Sequence, residues 1–448
     1  MSESLLSVGL DVGTTSTQLV VSRLLVENKA AGFAVPEMEI RSREVLYRSP
    51  VYFTPLVEEK LVNGHEIRRI VEEEYQKAGI SREQVDTGAI IITGETSRKE
   101  NARTVLSALE ELAGDFVVAT AGPDLESVLA AKGAGAAEYS AQTGKTVLHM
   151  DIGGGTSNLA LIRDGEIQQT GCLNVGGRLV KFSETGTVSY LSPVLSGLTT
   201  MQLGETSAKE QRQMLARQLT EALEMAAGRR QPTQLLQRLM TEESVQPWLP
   251  PEETVVVSFS GGVADCIGMD YPDFAFGDLG PELGRAIRNS SLCAGAYVLG
   301  KETIRATVIG AGCHSTQLSG STVYHQNLQF PLKNLPVVTV TDVFELEKDR
   351  SPQEEIPVWF WKGKQSPSYR EIAQMAERIV SRRRSPILIC IQQDMAKALG
   401  QALAVRLPPE AEILCIDRIK VGEGSFLDIG APVGDALPVV VKTLVLSK

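Results

Sequence analysis

A chain of 448 residues, 43% apolar and 22% charged, can bury several cores and suggests about three domains. Its 44 Lys+Arg against 55 Asp+Glu leave a net charge of -11, which argues against nucleic acid as the main partner. No basic region precedes the N-terminal apolar run, no run approaches the ~18 residues of a membrane helix, and the six cysteines form no C-x-x-C pair, so a soluble cytoplasmic protein with reduced thiols and no membrane partner is expected.

In chain order the first strong signal is VGLDVGTTSTQLVVSR at 8–23. An apolar run ends in Asp11, a turn of Gly13, Thr14 and Thr15 follows, and the chain turns apolar again, which predicts a tight β-hairpin. GAIIIT (88–93) reads as a buried strand, the stretch to Gly114 as a helix, DFVVAT as a strand and DLESVLAAKGAGAAEYS as another helix. LHMDIGGGTSNLALIR (148–163) then repeats the first hairpin. Aligned on Asp11 and Asp151, the pairs include Gly13/Gly153, Ser16/Thr156, Thr17/Ser157, Gln18/Asn158, Leu19/Leu159 and Arg23/Arg163. Residues 207–227 are helical by pattern, and the proline-bearing 229–253 reads as a surface excursion. VVVSF (255–259) is a strand ending in Ser260-Gly261-Gly262. Beyond Pro331, strands PVVTV, PILICI and EILCI alternate with helices EIAQMAERIVSR and DMAKALGQALAV. Apolar strands alternating with helices indicate an α/β protein, with boundaries expected near 145 and 330.

At a turn of this kind several backbone N–H groups converge and suit an anion. Glycine permits close approach of the backbone, and the hydroxyls add donors. An aspartate beside phosphates makes sense if Mg²⁺ lies between them, because Mg²⁺ takes oxygen ligands and bridges carboxylates or their waters to phosphates. One D-x-G turn is ordinary turn chemistry. Two copies matched over sixteen positions suggest a clamp on the phosphates of a nucleotide. No Walker G-x-x-x-x-G-K-[ST] occurs, and no Rossmann G-x-G-x-x-G opens a helix after a strand.

The hairpins DVGTTST and DIGGGTSN resemble the two phosphate motifs of the actin, heat-shock-chaperone and sugar-kinase ATPases. ITGETSRKENARTV falls where the chaperones have a strand, a loop and a helix, and LNVGGRLVKF resembles a second Gly-Gly that opens a helix. VVVSFSGGVADC resembles the adenosine motif, with VIGAGCHSTQLSG (Gly310, Gly312) as the rival. Longer stretches, among them TGETSRKENA, ATVIGAGCHSTQLSGST and LDIGAPVGDALPVVVKTLVL, are similar to the ethanolamine ammonia-lyase reactivating factors. That resemblance covers nearly the whole chain, including a C-terminal part that actins and chaperones lack.

The resemblance implies a two-lobed actin-like ATPase with ribonuclease H-like lobes (1–145 and 146–330) and an added C-terminal α/β domain (331–448). It implies binding and hydrolysis of ATP to ADP with Mg²⁺. It further implies action on adenosylcobalamin-dependent ethanolamine ammonia-lyase, with release of damaged cobalamin, in a pathway associated with bacterial microcompartments. Asp11 and Asp151 would hold Mg²⁺, with Asp151, Asp11 and Glu95 as the candidate catalytic acids. Gly13, Thr14, Thr15, Gly153, Gly154, Gly155, Thr156, Gly176 and Gly177 would bind phosphates, and Gly261 and Gly262 the adenosine. No position stands out for the chaperones' catalytic lysine. His149 reads as a packed core histidine, and Cys313 and His314 as residues of a Gly-rich loop. Alternative readings are a small-molecule kinase of the same fold, which lacks a distinct cleft base here, and an actin-like scaffold ATPase. Self-association into a homo-oligomer is left open.

Overall fold

The computed structural model describes residues 3–13, 16–28, 38–58, 61–92, 117–120, 123–241, 255–314, 316–319, 322–341, 356–382, 385–419, 421, 425–432 and 436–443. Three sheets organise them. In the first, β1 (Glu3–Val12) and β2 (Ser16–Asn28) form the expected hairpin and β3 (Met38–Arg48) runs antiparallel to β2. Helix α1 (Gly64–Ala78) follows, then β4 (Thr87–Ile92) and β5 (Val117–Thr120), which extend the sheet parallel to β1 in the order β3-β2-β1-β4-β5. The short segment Tyr52–Phe53 also pairs with the start of β2.

The second sheet repeats the plan. After helices α2 (Pro123–Gly133) and α3 (Ala136–Thr143) come β6 (Val147–Ile152), β7 (Ser157–Arg163) and β8 (Glu166–Leu173), all antiparallel neighbours. Helix α4 (Lys209–Ala226) leads on to β9 (Val256–Ser260), α5 (Gly262–Gly268), α6 (Gly280–Arg288) and β10 (Tyr297–Leu299), with sheet order β8-β7-β6-β9-β10. Two sheets with this shared order make a pair of ribonuclease H-like lobes, the doubled arrangement of an actin-like fold. Strands β4, β6 and β9 are buried along their whole length, which explains their unbroken apolar runs: helices cover both faces. Burying each Val, Leu or Ile there contributes ~1.5–3 kcal/mol.

Helix α7 (Ala306–His314) returns from the second lobe to the first and packs on β1, β2 and β4. Helix α2 lies on the second sheet and crosses α7. The crossing is close because it is made by glycines. A Cβ on Gly133 would stand 1.9 Å from the Ala306 carbonyl oxygen, and one on Gly310 2.1 Å from that of Leu129. Three expectations are corrected here. The helix expected over 124–140 is two helices, separated by Gly135 with φ +81°. The stretch holding Cys313 and His314 is the end of the largely buried α7 rather than a loop. Gly176 and Gly177 open only a single 3₁₀ turn, Gly177–Leu179, before the strand Val180–Phe182; the closeness of Gly177 to Gly280 leaves no room to wind further.

The third sheet has the order β11-β18-β17-β13-β14-β15-β16-β12. Its strands are β11 (Thr316–Leu318), β12 (Tyr324–Gln326), β13 (Leu332–Thr339), β14 (Val358–Trp361), β15 (Ile387–Ile391), β16 (Ile413–Asp417), β17 (Ser425–Ile429) and β18 (Pro438–Thr443). Strands β13 to β16 run parallel, with helices α8 (Tyr369–Arg382) and α9 (Ala396–Ala404) in the connections, and the remaining strands close the sheet antiparallel. Strands β11 and β12 precede Pro331. The sheet lies against the first lobe, where the Thr87 and Thr316 hydroxyls are hydrogen-bonded at 2.9 Å. No described helix is long and apolar enough to cross a membrane.

Candidate functional site

The two Asp turns are built alike. Asp11 stands opposite Gln18 across the first hairpin and Asp151 opposite Asn158 across the second. In each turn the first glycine closes the loop: the Gly13 N–H donates to the Ser16 carbonyl and the Gly153 N–H to the Thr156 carbonyl, both at 2.9 Å. Thr14 and Thr15 lie outside the described residues, as do Glu95 and the helix expected up to Gly114.

One segment joins the two turns, and no motif marks it in the sequence. Within 303–307, the Thr303 carbonyl accepts from the Gly261 N–H (3.0 Å) and the Ile304 carbonyl from Gln18 Nε2 (3.2 Å), while the Thr307 hydroxyl reaches Asp151 Oδ2 (3.5 Å). The Thr303 hydroxyl donates to Asp265 Oδ1 at 2.6 Å, anchoring the segment to α5. Asp151, Gln18, Gly261 and Gly262 thereby adjoin one short stretch of chain, with Asp11 across the hairpin from Gln18. Gly310 and Gly312 are not; they lie at the buried contacts of α7 with Leu129 and Gly9.

Asp151 is buried at the end of β6. Its other oxygen accepts from the Ser260 hydroxyl, and Ser260 also contacts His149 Nε2 at 2.9 Å. His149 Nδ1 lies 3.1 Å from the Ser258 hydroxyl, so this histidine is fully packed and held by two serines. Burial pushes the Asp151 carboxyl up to about 6, against the opposing pull of its two hydroxyl donors, and pushes His149 down to about 3. Among the described residues the partners of Asp151 are two hydroxyls and no cationic side chain, an arrangement suited to an added positive charge. Oxygen donors of this kind fit a hard divalent cation.

The glycines divide by role. Gly176 packs on the second turn, where a Cβ would lie 2.3 Å from the Gly154 carbonyl oxygen. The Gly177 and Arg178 N–H groups donate to the Gly153 and Gly154 carbonyls at 3.0 and 2.6 Å. Gly261 sits at φ +84° and ψ 172°, with the position of its Cβ 2.3 Å from the Ile152 oxygen. By contrast, a Cβ on Gly155 would meet nothing within 4 Å, and one on Gly262 only the Ile304 side chain at 3.8 Å. Packing within the described protein therefore does not require glycine at 155 or 262. Among the described residues, the Gln18 Oε1 and Asn158 Oδ1 oxygens, on the residues across each hairpin from Asp11 and Asp151, are buried without hydrogen-bond partners.

The family model for "Ethanolamine utilisation protein EutA" matches residues 3–447. The chain belongs to the EutA family. A relative from Salmonella typhimurium (strain LT2), named "Ethanolamine ammonia-lyase reactivase EutA", is 39% identical over 464 residues, with 98% of each chain covered. The protein of the same name from Escherichia coli (strain K12) is 38% identical over the same length and coverage. Among solved structures, the ethanolamine utilization protein EutJ from Carboxydothermus hydrogenoformans matches with a TM-score of 0.34 at 18% identity, over 68% of this chain and 89% of that one.

Proposed function

We propose that this EutA-family chain is an ATP-dependent reactivase of ethanolamine ammonia-lyase. It would work in three parts, two nucleotide-clamping lobes (1–145 and 146–330) and a C-terminal unit (331–448) available to the partner. The observation that carries the reading is the join of two matched Asp turns through Thr303–Thr307, in a chain related over its full length to proteins of that name. The backbone amides of the two turns bind phosphates, Gly155 is glycine so that a phosphate can approach, and the open side of Gly262 takes the adenosine. Asp11 and Asp151 are the residues that hold Mg²⁺. When bound, Mg²⁺ neutralises phosphate charge and orders water at the terminal phosphate. Asp151 contributes the carboxylate that positions the hydrolytic water, with Ser260 and Thr307 fixing its orientation.

The output is mechanical. ATP and ADP favour different closures of the lobes, and the lyase binds one closure more tightly than the other. The stabilised partner is an opened lyase that releases damaged cobalamin and takes up intact cofactor. The test mixes this chain with inactivated ethanolamine ammonia-lyase, adenosylcobalamin, Mg²⁺ and ATP, and measures recovered lyase activity. Recovery that needs hydrolysable ATP and disappears in Asp151→Ala is expected. Recovery without any nucleotide, or none at all with a folded chain, sinks the proposal.

A further inference from the structure

We propose that Arg178 is the cation of this site, binding the terminal phosphate of ATP and linking the two lobes through Phe53. The inference rests on the nucleotide-binding reading above and assigns the positive charge that the sequence pattern left without a residue. Arg178 directly follows Gly176-Gly177, and its N–H donates to the Gly154 carbonyl at 2.6 Å, which ties its backbone to the second Asp turn. Its Nε is held by the Asp278 carboxylate at 3.2 Å, and Asp278 is in turn fixed by the Gly280 N–H at 2.8 Å. No hydrogen bond from the two Nη groups to a described residue is found, and the side chain is about one quarter exposed. They are free to grip an oxyanion by the two-pronged geometry in which arginine excels.

The guanidinium carbon lies 5.8 Å from the centre of the Phe53 ring, which comes from the other lobe. Phe53 pairs with Ser16, the first residue after the first Asp turn, and the neighbouring Thr54 hydroxyl donates to the Gly13 carbonyl at 2.7 Å. Arg178 is therefore anchored to one turn and lies beside a residue registered with the other. Phe53 is 82% exposed, so its ring is not committed to packing within its own lobe. Lobe closure would bring the ring and guanidinium together over the phosphate, and loss of that phosphate would weaken both contacts.

The experiment measures ATP and ADP affinity, with Mg²⁺ present, for the full chain and for Arg178→Met, Arg178→Lys and Phe53→Ala. Arg178→Met is expected to weaken ATP binding roughly 10-fold or more while changing ADP binding less than about 3-fold, the scale of one lost charged hydrogen bond. Arg178→Lys should keep part of the ATP preference by retaining charge without the fork. Phe53→Ala, at an exposed position where folding is not at risk, should also lower the ATP-to-ADP preference. A merely structural Arg178 would affect both nucleotides equally, so an unchanged ratio in Arg178→Met and Phe53→Ala overturns the assignment. A parent chain that binds neither nucleotide overturns the proposed function itself.

Discussion

The adjacent glycines Gly261 and Gly262, at the position proposed for adenosine, should respond in opposite ways to the same added methyl group. Gly261 has φ +84° and ψ 172°, a region open essentially to glycine alone, so alanine there carries ~1–3 kcal/mol of backbone strain. Its Cβ would also sit 2.3 Å from the oxygen and 2.6 Å from the carbonyl carbon of Ile152, on a central strand held from both sides by β7 and β9. Neither neighbour can retreat, and overpacking of this kind adds ~1–3 kcal/mol. Gly261→Ala should therefore lose at least ~3 kcal/mol of stability, and its nucleotide affinity would report misfolding. Gly262→Ala meets only a side-chain atom at 3.8 Å and starts a helix, where alanine is favoured by up to ~1 kcal/mol. It should fold like the parent and bind nucleotide more weakly, because the methyl group occupies the open side given to adenosine. Urea unfolding of both variants, followed by nucleotide titration of those that fold, tests the pair. A stable Gly261→Ala would refute the steric reasoning, and undiminished affinity in Gly262→Ala would move adenosine elsewhere.

Arg212 on α4 is buried between Glu282 (2.7 Å), Asp273 (2.9 Å) and the Ser207 carbonyl (3.0 Å), and its guanidinium lies 4.5 Å from the Phe274 ring centre. Arg212→Met would leave Glu282 buried without its main partner and should cost ~3–5 kcal/mol in urea unfolding, whereas Arg212→Met with Glu282→Leu should recover much of it; a single variant losing under ~1 kcal/mol would refute this. His149 and Asp151 should oppose each other as pH changes. The depressed His149, ordinarily 6.5 and about 3 here, contributes stability that is present above 6.5 and lost as pH falls towards 3. The raised Asp151, ordinarily 3.8 and about 6 here, contributes stability that is present below 3.8 and lost as pH rises through 6. Their slopes nearly cancel between those two limits, so His149→Gln should expose a loss of about 1.4 kcal/mol per unit of rising pH, read from unfolding free energies across pH 4 to 6. Identical slopes in parent and variant would show that His149 does not stay neutral.

The parts of this molecule legible in its sequence are those set by neighbours in the chain. A hairpin records its strands, its turn and its Asp within sixteen residues, so Asp11 opposite Gln18 and Asp151 opposite Asn158 follow from period-two alternation about a glycine turn. The apolar runs of Thr87–Ile92 and Val256–Ser260 are strands because both of their faces are covered. The glycines of α7 misled for a physical reason. Gly310 and Gly312 suggest a loop or a ligand approach, yet they are small so that a helix can touch Leu129 and Gly9, residues that lie far away in sequence. The Thr303–Thr307 join was hidden likewise, since each of its bonds is made to a partner distant in the chain.

That join sets how far a local event can travel. Helix α7 begins with Thr307 on the acid of the second lobe, and near its other end the Ser7 hydroxyl donates to the Gly312 carbonyl at 2.5 Å while Gly9 packs against Val308 and Gly312. Its nine residues span about 13 Å at 1.5 Å per residue. At its glycines the helix places backbone against backbone, at Leu129 and Ala306 on the α2 side and at Gly9 on β1. A shift at Asp151 carried through Thr307 meets no rotamer to absorb it at Gly133, Gly310 or Gly9, and α7 is the element placed to pass it to β1. Close-packed contacts of this kind transmit displacement because they are incompressible. The same geometry that makes Gly133 and Gly310 intolerant of a methyl group thus holds α7 between α2, on the second sheet, and β1 of the first.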